Sequence, residues 1–198
     1  MSKNIFDIAF PDENLTLGRL HNRLTESAEP AGLLDVAYRT IDTPVGTLLL
    51  AATTVGVVRV AFDVEDHDTV LSRLAEMLSP RILHAPARLD AVAGQLDEYF
   101  AKRRTTFDVP LDLSLAAGFR RNVIEHLRDI GYGHRASYAE VAAAVGSPRA
   151  VRAVGSACGH NPLPVVIPCH RVVRSDGATG QYVGGPTAKC TLLELEAA

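Results

Sequence analysis

The residues best suited to chemistry in this chain are Cys169 and His170, adjacent in the apolar run Ile167-Pro168-Cys169-His170-Arg171-Val172-Val173. A thiol attacks only as its thiolate, and a free cysteine, with a pKa near about 8.5, is mostly protonated at neutral pH. A neighbouring imidazole titrates in the range needed to take that proton. Pro168 fixes its own φ and biases Ile167 towards an extended conformation. This predicts a cysteine at a stiff strand end, on the floor of a pocket. Free cysteine is also among the most buried residue types, so the pair taken alone reads more readily as two structural residues than as a reactive couple. The elements around it have to decide.

The chain of 198 residues has room for one domain or two small ones, and at 47% hydrophobic and 22% charged it has a soluble globular composition. The most apolar stretch, residues 45–62, is broken by Gly46, Thr47, Thr53, Thr54, Gly56 and Arg59 and reads as strands, so no membrane partner is expected. Asp7, Asp12 and Glu13 stand where a secretory leader would be basic and then apolar. Three cysteines with no CxxC pair (Cys158, Cys169, Cys190) argue against a disulfide framework or a structural zinc, and the expected compartment is a reducing cytoplasm. Net charge is -3, yet residues 1–113 carry 11 Lys and Arg against 17 Asp and Glu, while residues 114–198 carry 9 against 6. A basic half beside an acidic one suits a polyanion bound on one side, although chance unevenness would look the same.

Residues 1–32 read as a loosely ordered extension or arm. Residues 33–113 read as a small α/β domain. Its β-rich runs Leu34–Ile41, Thr47–Ala52 and Val57–Phe62, separated by turn chemistry, predict an antiparallel meander. Asp68 is a candidate N-cap for a helix ending at Ser79-Pro80, and Leu89–Ala101 is a second amphipathic helix. No catalytic residue is evident before residue 114, and His67 and His84 read as ordinary polar residues.

Residues 114–198 are expected to be mainly helical, making the whole an α+β protein. A helix over Ala117–Asp129 precedes Ser137-Tyr138-Ala139-Glu140, a capping box in which Ser137 and Glu140 satisfy each other's backbone amides. That helix runs to Val145, Gly146 can take the left-handed closing conformation, and Ser147-Pro148 is expected to start the next helix at once. The punctuation is that of a helix-turn-helix, though helical hairpins without nucleic-acid function are common. The second helix, from Pro148 through Arg149, Arg152, Ala153 and Gly155 to Cys158, is nearly all small residues with two arginines. Major-groove readers present long polar side chains, whereas small residues allow the close approach that a minor groove demands.

Taken together, Tyr138, Arg152-Ala153-Val154-Gly155, Asn161-Pro162, the Pro168-Cys169-His170-Arg171-Val172 core, Tyr182-Val183-Gly184-Gly185, Lys189 and Leu192-Leu193 with Glu196 resemble the O6-alkylguanine-DNA alkyltransferases in order and spacing. The resemblance is dense over residues 117–196 and looser over about 34–113. It implies double-stranded DNA carrying O6-alkylguanine as partner, bound through the minor groove. A monomer takes the alkyl group once and irreversibly onto Cys169 after nucleotide flipping, with no cofactor and no metal. It further implies His170 as the base acting through a water, with Glu196 orienting the imidazole. Tyr138 and the Val183 amide would be donors to the departing guanine, and the Cys169 and Val172 carbonyls acceptors for its exocyclic amine. Tyr182 would wall the base pocket, Asn161 would brace the turn, and Lys189 would support the site or else be a plain surface lysine. Arg152 would be the finger filling the vacated stack, with Ser137, Arg149, Ala153 and Gly155 along the DNA.

Departures from the family pattern are Val183 where a serine is common, Gly131-Tyr132-Gly133-His134 in the turn before the capping box, and no tryptophan near Ile124. The intact Cys169, His170 and Glu196 speak against the alternative of a non-enzymatic alkyl-lesion binder. The lack of cysteines before Cys158 speaks against a zinc-dependent regulator. No acyl-binding cleft is evident for a cysteine hydrolase.

Overall fold

The computed structural model describes residues 13–197. In chain order the elements are α1 (Glu13–Ala28), β1 (Val36–Thr43), β2 (Gly46–Ala52), β3 (Val57–Phe62), α2 (His67–Met77), β4 (Ile82–His84), α3 (Asp90–Phe100), α4 (Gly118–Leu127), β5 (Ala136–Ser137), α5 (Tyr138–Ala144), α6 (Val151–Gly159), β6 (Val172–Val173) and α7 (Gly185–Glu196). No described helix is long and apolar enough to cross a membrane. The N-terminal sheet domain and the mainly helical C-terminal part give the expected α+β class.

β2 explains why the apolar run does not alternate: it is central in a sheet of order β3-β2-β1-β4 and is covered on both faces. Leu48, Leu50 and Ala52 enter one core together with Val60 and Phe62. The intervening Leu49 and Ala51 join Val36, Val58 and Ala61 against Val70 and Leu74 of α2. β1, β2 and β3 form the expected antiparallel meander, but β4 adds to β1 in parallel and was too short to leave a periodic signal. The outer edge of β3 is paired with later chain: the Val60 amide donates to Pro162 O at 2.9 Å, and Val57 exchanges bonds with Pro110 and Asp112.

The larger core runs without a break from Phe62, Leu96 and Tyr99 into Ile124, Leu127, Leu163, Ile167 and Leu192. The two halves are therefore packed as one body around the segment that carries Cys169.

Four local readings are corrected. The extension expected over residues 1–32 contains α1, and its first twelve residues lie outside the described ones. α2 starts one residue after Asp66, which takes the N-cap place assigned to Asp68. The capping box at Ser137 stands as expected, and Gly146 has φ 73°. Ser147-Pro148, however, does not open α6. Its carbonyl closes a single turn with the Ala150 amide at 2.8 Å, and the helical ladder begins with Val154 donating to Ala150 O at 3.0 Å. Arg149 thus lies in the turn and Arg152 on the helix. Finally, Cys169 does not follow a strand: Leu163 O accepts from the Ile167 amide, closing a turn.

Candidate active site

The setting of Cys169 begins with Pro168, whose φ of -81° and ψ of 60° make an inverse γ-turn. The Cys169 amide closes that turn on Ile167 O at 2.8 Å, and a single 3-10 turn follows over Cys169–Arg171. Three residues earlier, Val165 is held at φ 72°, a region costly for a β-branched residue, by about 1–3 kcal/mol. Asn161 ties this loop together. Its Nδ2 donates to Ile167 O at 2.9 Å and to Cys169 Sγ at 3.2 Å, while its Oδ1 accepts from the Leu163 amide at 3.0 Å. Asn161 therefore touches the sulfur itself, beyond the bracing role expected of it.

Cys169 is only 2% exposed. Burial pushes its thiol up to about 11, against the Asn161 bond, the Lys189 charge and the nearby Tyr182 hydroxyl, which all favour the thiolate. His170 is completely buried, and burial lowers its pKa despite the attraction of Glu196. The resting pair is thus a neutral thiol beside a neutral imidazole. His170 Nε2 meets Glu196 Oε1 at 3.0 Å, and its buried Nδ1 has no partner among the described residues.

Glu196 is held by more than histidine. Oε1 also accepts from Tyr99 Oη at 2.7 Å and from Arg171 Nη2 at 2.8 Å, and Oε2 from Arg171 Nε at 2.9 Å and the Gly133 amide at 3.3 Å. Burial works to raise its pKa, but the bonds from His170 and Arg171 outweigh it and hold the carboxyl well below the usual range. Arg171 in turn bonds Ile130 O and lies 5.8 Å from the centre of the Tyr132 ring. Arg171 and Tyr99 carry no signal of these roles in the sequence, and with Tyr99 the N-terminal domain reaches into the site.

Lys189 is no surface lysine: it is fully buried and donates from Nζ to Val172 O at 2.7 Å. The Cys169 carbonyl accepts from the Val172 amide. Each carbonyl keeps one lone pair for a ligand.

Tyr138, Tyr182, Val183, Gly155, Ser156 and Arg174 are among the walls of a cavity of about 500 Å³. Tyr138 has its pKa raised, chiefly by burial, and so remains a proton donor at neutral pH. Cys169, His170, Val172 and Lys189 lie outside these walls, with the buried Tyr182 hydroxyl beside the sulfur. Tyr182 is itself fixed by the N-terminal domain, edge-on to Phe62 with centroids 5.6 Å apart. Gly184 approaches the same ring so closely that a Cβ there would lie 2.6 Å from Phe62 Cε1. On β3, Arg59 Nη1 donates to Pro162 O at 3.2 Å and to Asn161 O at 3.4 Å, its other nitrogen being paired with Glu65.

Arg149, Arg152, Ala153 and Ser156 form an exposed basic and small-residue face, with Gly155 half-buried above the Tyr138 ring. Ser137 Oγ accepts from the Glu140 amide at 3.1 Å, which leaves its own proton free to donate. Arg152 stands on this face outside the cavity walls.

Two family profiles match, the ribonuclease-like domain of 6-O-methylguanine DNA methyltransferase over residues 36–113 and its DNA binding domain over residues 118–198. A methylated-DNA–protein-cysteine methyltransferase of Mycobacterium bovis is 40% identical over 167 residues, covering 81% of this chain and 92% of the relative. The constitutive methylated-DNA–protein-cysteine methyltransferase of Bacillus subtilis is 39% identical over 164 residues, 80% and 94% of the two chains. Among solved structures, Mycobacterium tuberculosis OGT in complex with DNA is similar at a TM-score of 0.70 and 38% identity, over 81% of this chain and 92% of that one.

Proposed function

The chain belongs to the 6-O-methylguanine DNA methyltransferase family, and from that premise we propose that Cys169 is the acceptor, taking the alkyl group from O6-alkylguanine flipped out of duplex DNA. As a family member it is a DNA-binding repair protein that moves an alkyl group from DNA to one of its own cysteines. The observation that carries the assignment is Asn161 donating to the Cys169 sulfur beside a His170 that is held by Glu196 and has its Nδ1 unpartnered, a setting described at neither Cys158 nor Cys190.

In this reading DNA lies on the face of Arg149, Arg152, Ala153 and Gly155 through its minor groove, with Ser137 donating to a phosphate. Arg152 fills the space that the extruded nucleotide leaves, and the base enters the cavity beside Tyr138 and Tyr182. Unstacking costs a few kcal/mol, less for a damaged pair. The Cys169 proton passes to His170 Nδ1 through a water, and the imidazolium is held by Glu196. Sγ then forms a bond to the alkyl carbon as the carbon–O6 bond breaks. The electron pair stays on guanine, where Tyr138 and the Val183 amide donate to it. The free lone pairs of the Cys169 and Val172 carbonyls take the exocyclic amine, and Lys189 fixes the second of these carbonyls. The thioether is stable, so each monomer acts once, in a reducing compartment that keeps its cysteines free.

The test is intact mass after incubation with duplex DNA containing O6-methylguanine. Wild type gains one methyl group and Cys169→Ala gains none. Absence of the gain in wild type, or its persistence in the variant, removes the assignment.

A further inference from the structure

Among the described residues, the hydroxyl of Tyr99 is the one hydrogen-bond donor to the Glu196 carboxylate that comes from the N-terminal domain, and it falls on the oxygen that also faces His170. Tyr99 is fully buried near the end of α3, edge-on to Phe100 at 5.3 Å and to Tyr132 at 6.1 Å, so ring and hydroxyl have a fixed direction. An apolar environment would hold a bare phenylalanine at least as well. A phenol aimed at a buried carboxylate is a specific device, because it satisfies a lone pair that would otherwise draw more strongly on the imidazole.

We propose that Tyr99 is a positioning residue for the alkyl transfer: by donating to Glu196 Oε1 it shares that oxygen with Arg171 and His170 and so sets how firmly the carboxylate holds the His170 proton. The inference rests on the reading of Cys169, His170 and Glu196 given above. Its reach is that the N-terminal domain, whose sequence shows no catalytic residue, adjusts the reactivity of the C-terminal site directly.

The groups that face His170 are Glu196 and Lys189 from α7, Arg171 and Cys169 from its own turn, and Tyr182 from the loop before α7, its ring centroid 6.3 Å away. Of these, only Glu196 favours the imidazolium; Arg171 and Lys189 oppose it. Removing the Tyr99 donor leaves Oε1 more negative towards His170 Nε2. The imidazolium becomes easier to form in the resting protein, and the neutral imidazole that accepts the thiol proton becomes scarcer at low pH.

The experiment is the pH dependence of single-turnover methyl transfer from duplex DNA in full-length Tyr99→Phe, followed by intact mass. The acid limb of the rate should move up by about one pH unit, so that on that limb the rate at a given pH falls about tenfold, for loss of one hydrogen bond to a charged group. The final stoichiometry should stay at one methyl group per molecule. Incorporation of meta-fluorotyrosine at position 99, a stronger donor of the same shape, should move the limb down. It serves as the deciding measurement if the phenylalanine variant does not fold. A Tyr99→Phe profile that matches wild type, with or without a lowered melting temperature, overturns the proposal. So does a fluorotyrosine profile that does not move. If wild type itself takes up no methyl group, it is the assignment of Cys169 that fails.

Discussion

Gly184→Ala isolates the link between the two halves of the molecule. Gly184 has φ -80° and ψ 9°, a conformation that alanine adopts without strain, so the added methyl acts only through what it meets. It meets the Phe62 ring, with three atoms at 2.6, 2.7 and 2.7 Å. Ordinary carbon contacts are about 3.5–4.0 Å, so ring and loop must separate by about 1 Å. Phe62 is 1% exposed and packed in the core, so most of that movement falls on the loop that carries Tyr182 and Val183. Overpacking of this kind costs about 1–3 kcal/mol of stability. A misplacement near 1 Å at a reacting centre costs up to about 100-fold in rate. The assay is the single-turnover rate from intact mass, with a urea midpoint on the same preparation. Phe62→Leu placed in the same chain should return part of both losses, because it removes the atoms that the methyl strikes. A Gly184→Ala protein that is less stable yet transfers at the wild-type rate would refute the reasoning, since the loop would then have moved without consequence for the chemistry.

Glu196→Gln leaves the buried Arg171 without its counter-charge and should cost about 3–5 kcal/mol in urea unfolding. The wild-type carboxyl has a depressed folded pKa, so its contribution is complete above the unfolded value and is lost as pH falls. The lowered pKa of His170 adds destabilisation in the same acid direction, because the unfolded imidazole takes the proton first. A wild-type urea midpoint that stays flat from pH 7 down to pH 3 would contradict both signs. Iodoacetamide labelling of Cys169 should rise with pH towards a midpoint near about 11, and Asn161→Ala should push that midpoint higher by removing a donor to the thiolate. Mass-resolved labelling across alkaline pH reads this, and a lower midpoint in the variant counts against the role of Asn161. Arg152→Ala should slow transfer from duplex DNA about 10-fold or more while sparing free alkylguanine base, for loss of a side chain that replaces stacking. Equal losses on both substrates would show that Arg152 does not support flipping.

What the sequence made legible is what neighbouring residues control. The meander, the capping box at Ser137 and the closing Gly146 are local, because each is decided by propensity and backbone chemistry over a few residues. Cys169 and His170 stand out because a thiol and an imidazole are neighbours in the sequence itself. Tyr99 was illegible for the opposite reason. On an apolar helix face with Leu96 it reads as core, and only the fold sets its hydroxyl against a carboxylate 97 positions away. Lys189 and Arg171 carry the same lesson: a long cation reads as surface until its burial partners are known. The start of α6 was misplaced because Ser147-Pro148 carries the chemistry of an N-cap, while a turn closing on Ala150 uses the same residues. β4 was missed because a strand of three residues has no period to detect.

The strained Val165 and the loop around it have a consequence for how the molecule assembles in time. Residues 161–171 form no regular element of their own beyond one 3-10 turn, and the contacts that fix them arrive from Arg59, 102 and 103 positions earlier, and from Tyr99 through Glu196. Contacts this distant carry a large loop-closure entropy and reward the chain only after the meander and α3 have condensed. The reactive loop therefore belongs to the last part of the molecule to become native. Substitutions such as Arg59→Ala should then accelerate unfolding far more than they slow folding, so that the lifetime of the reactive thiol's surroundings is set by an unfolding barrier.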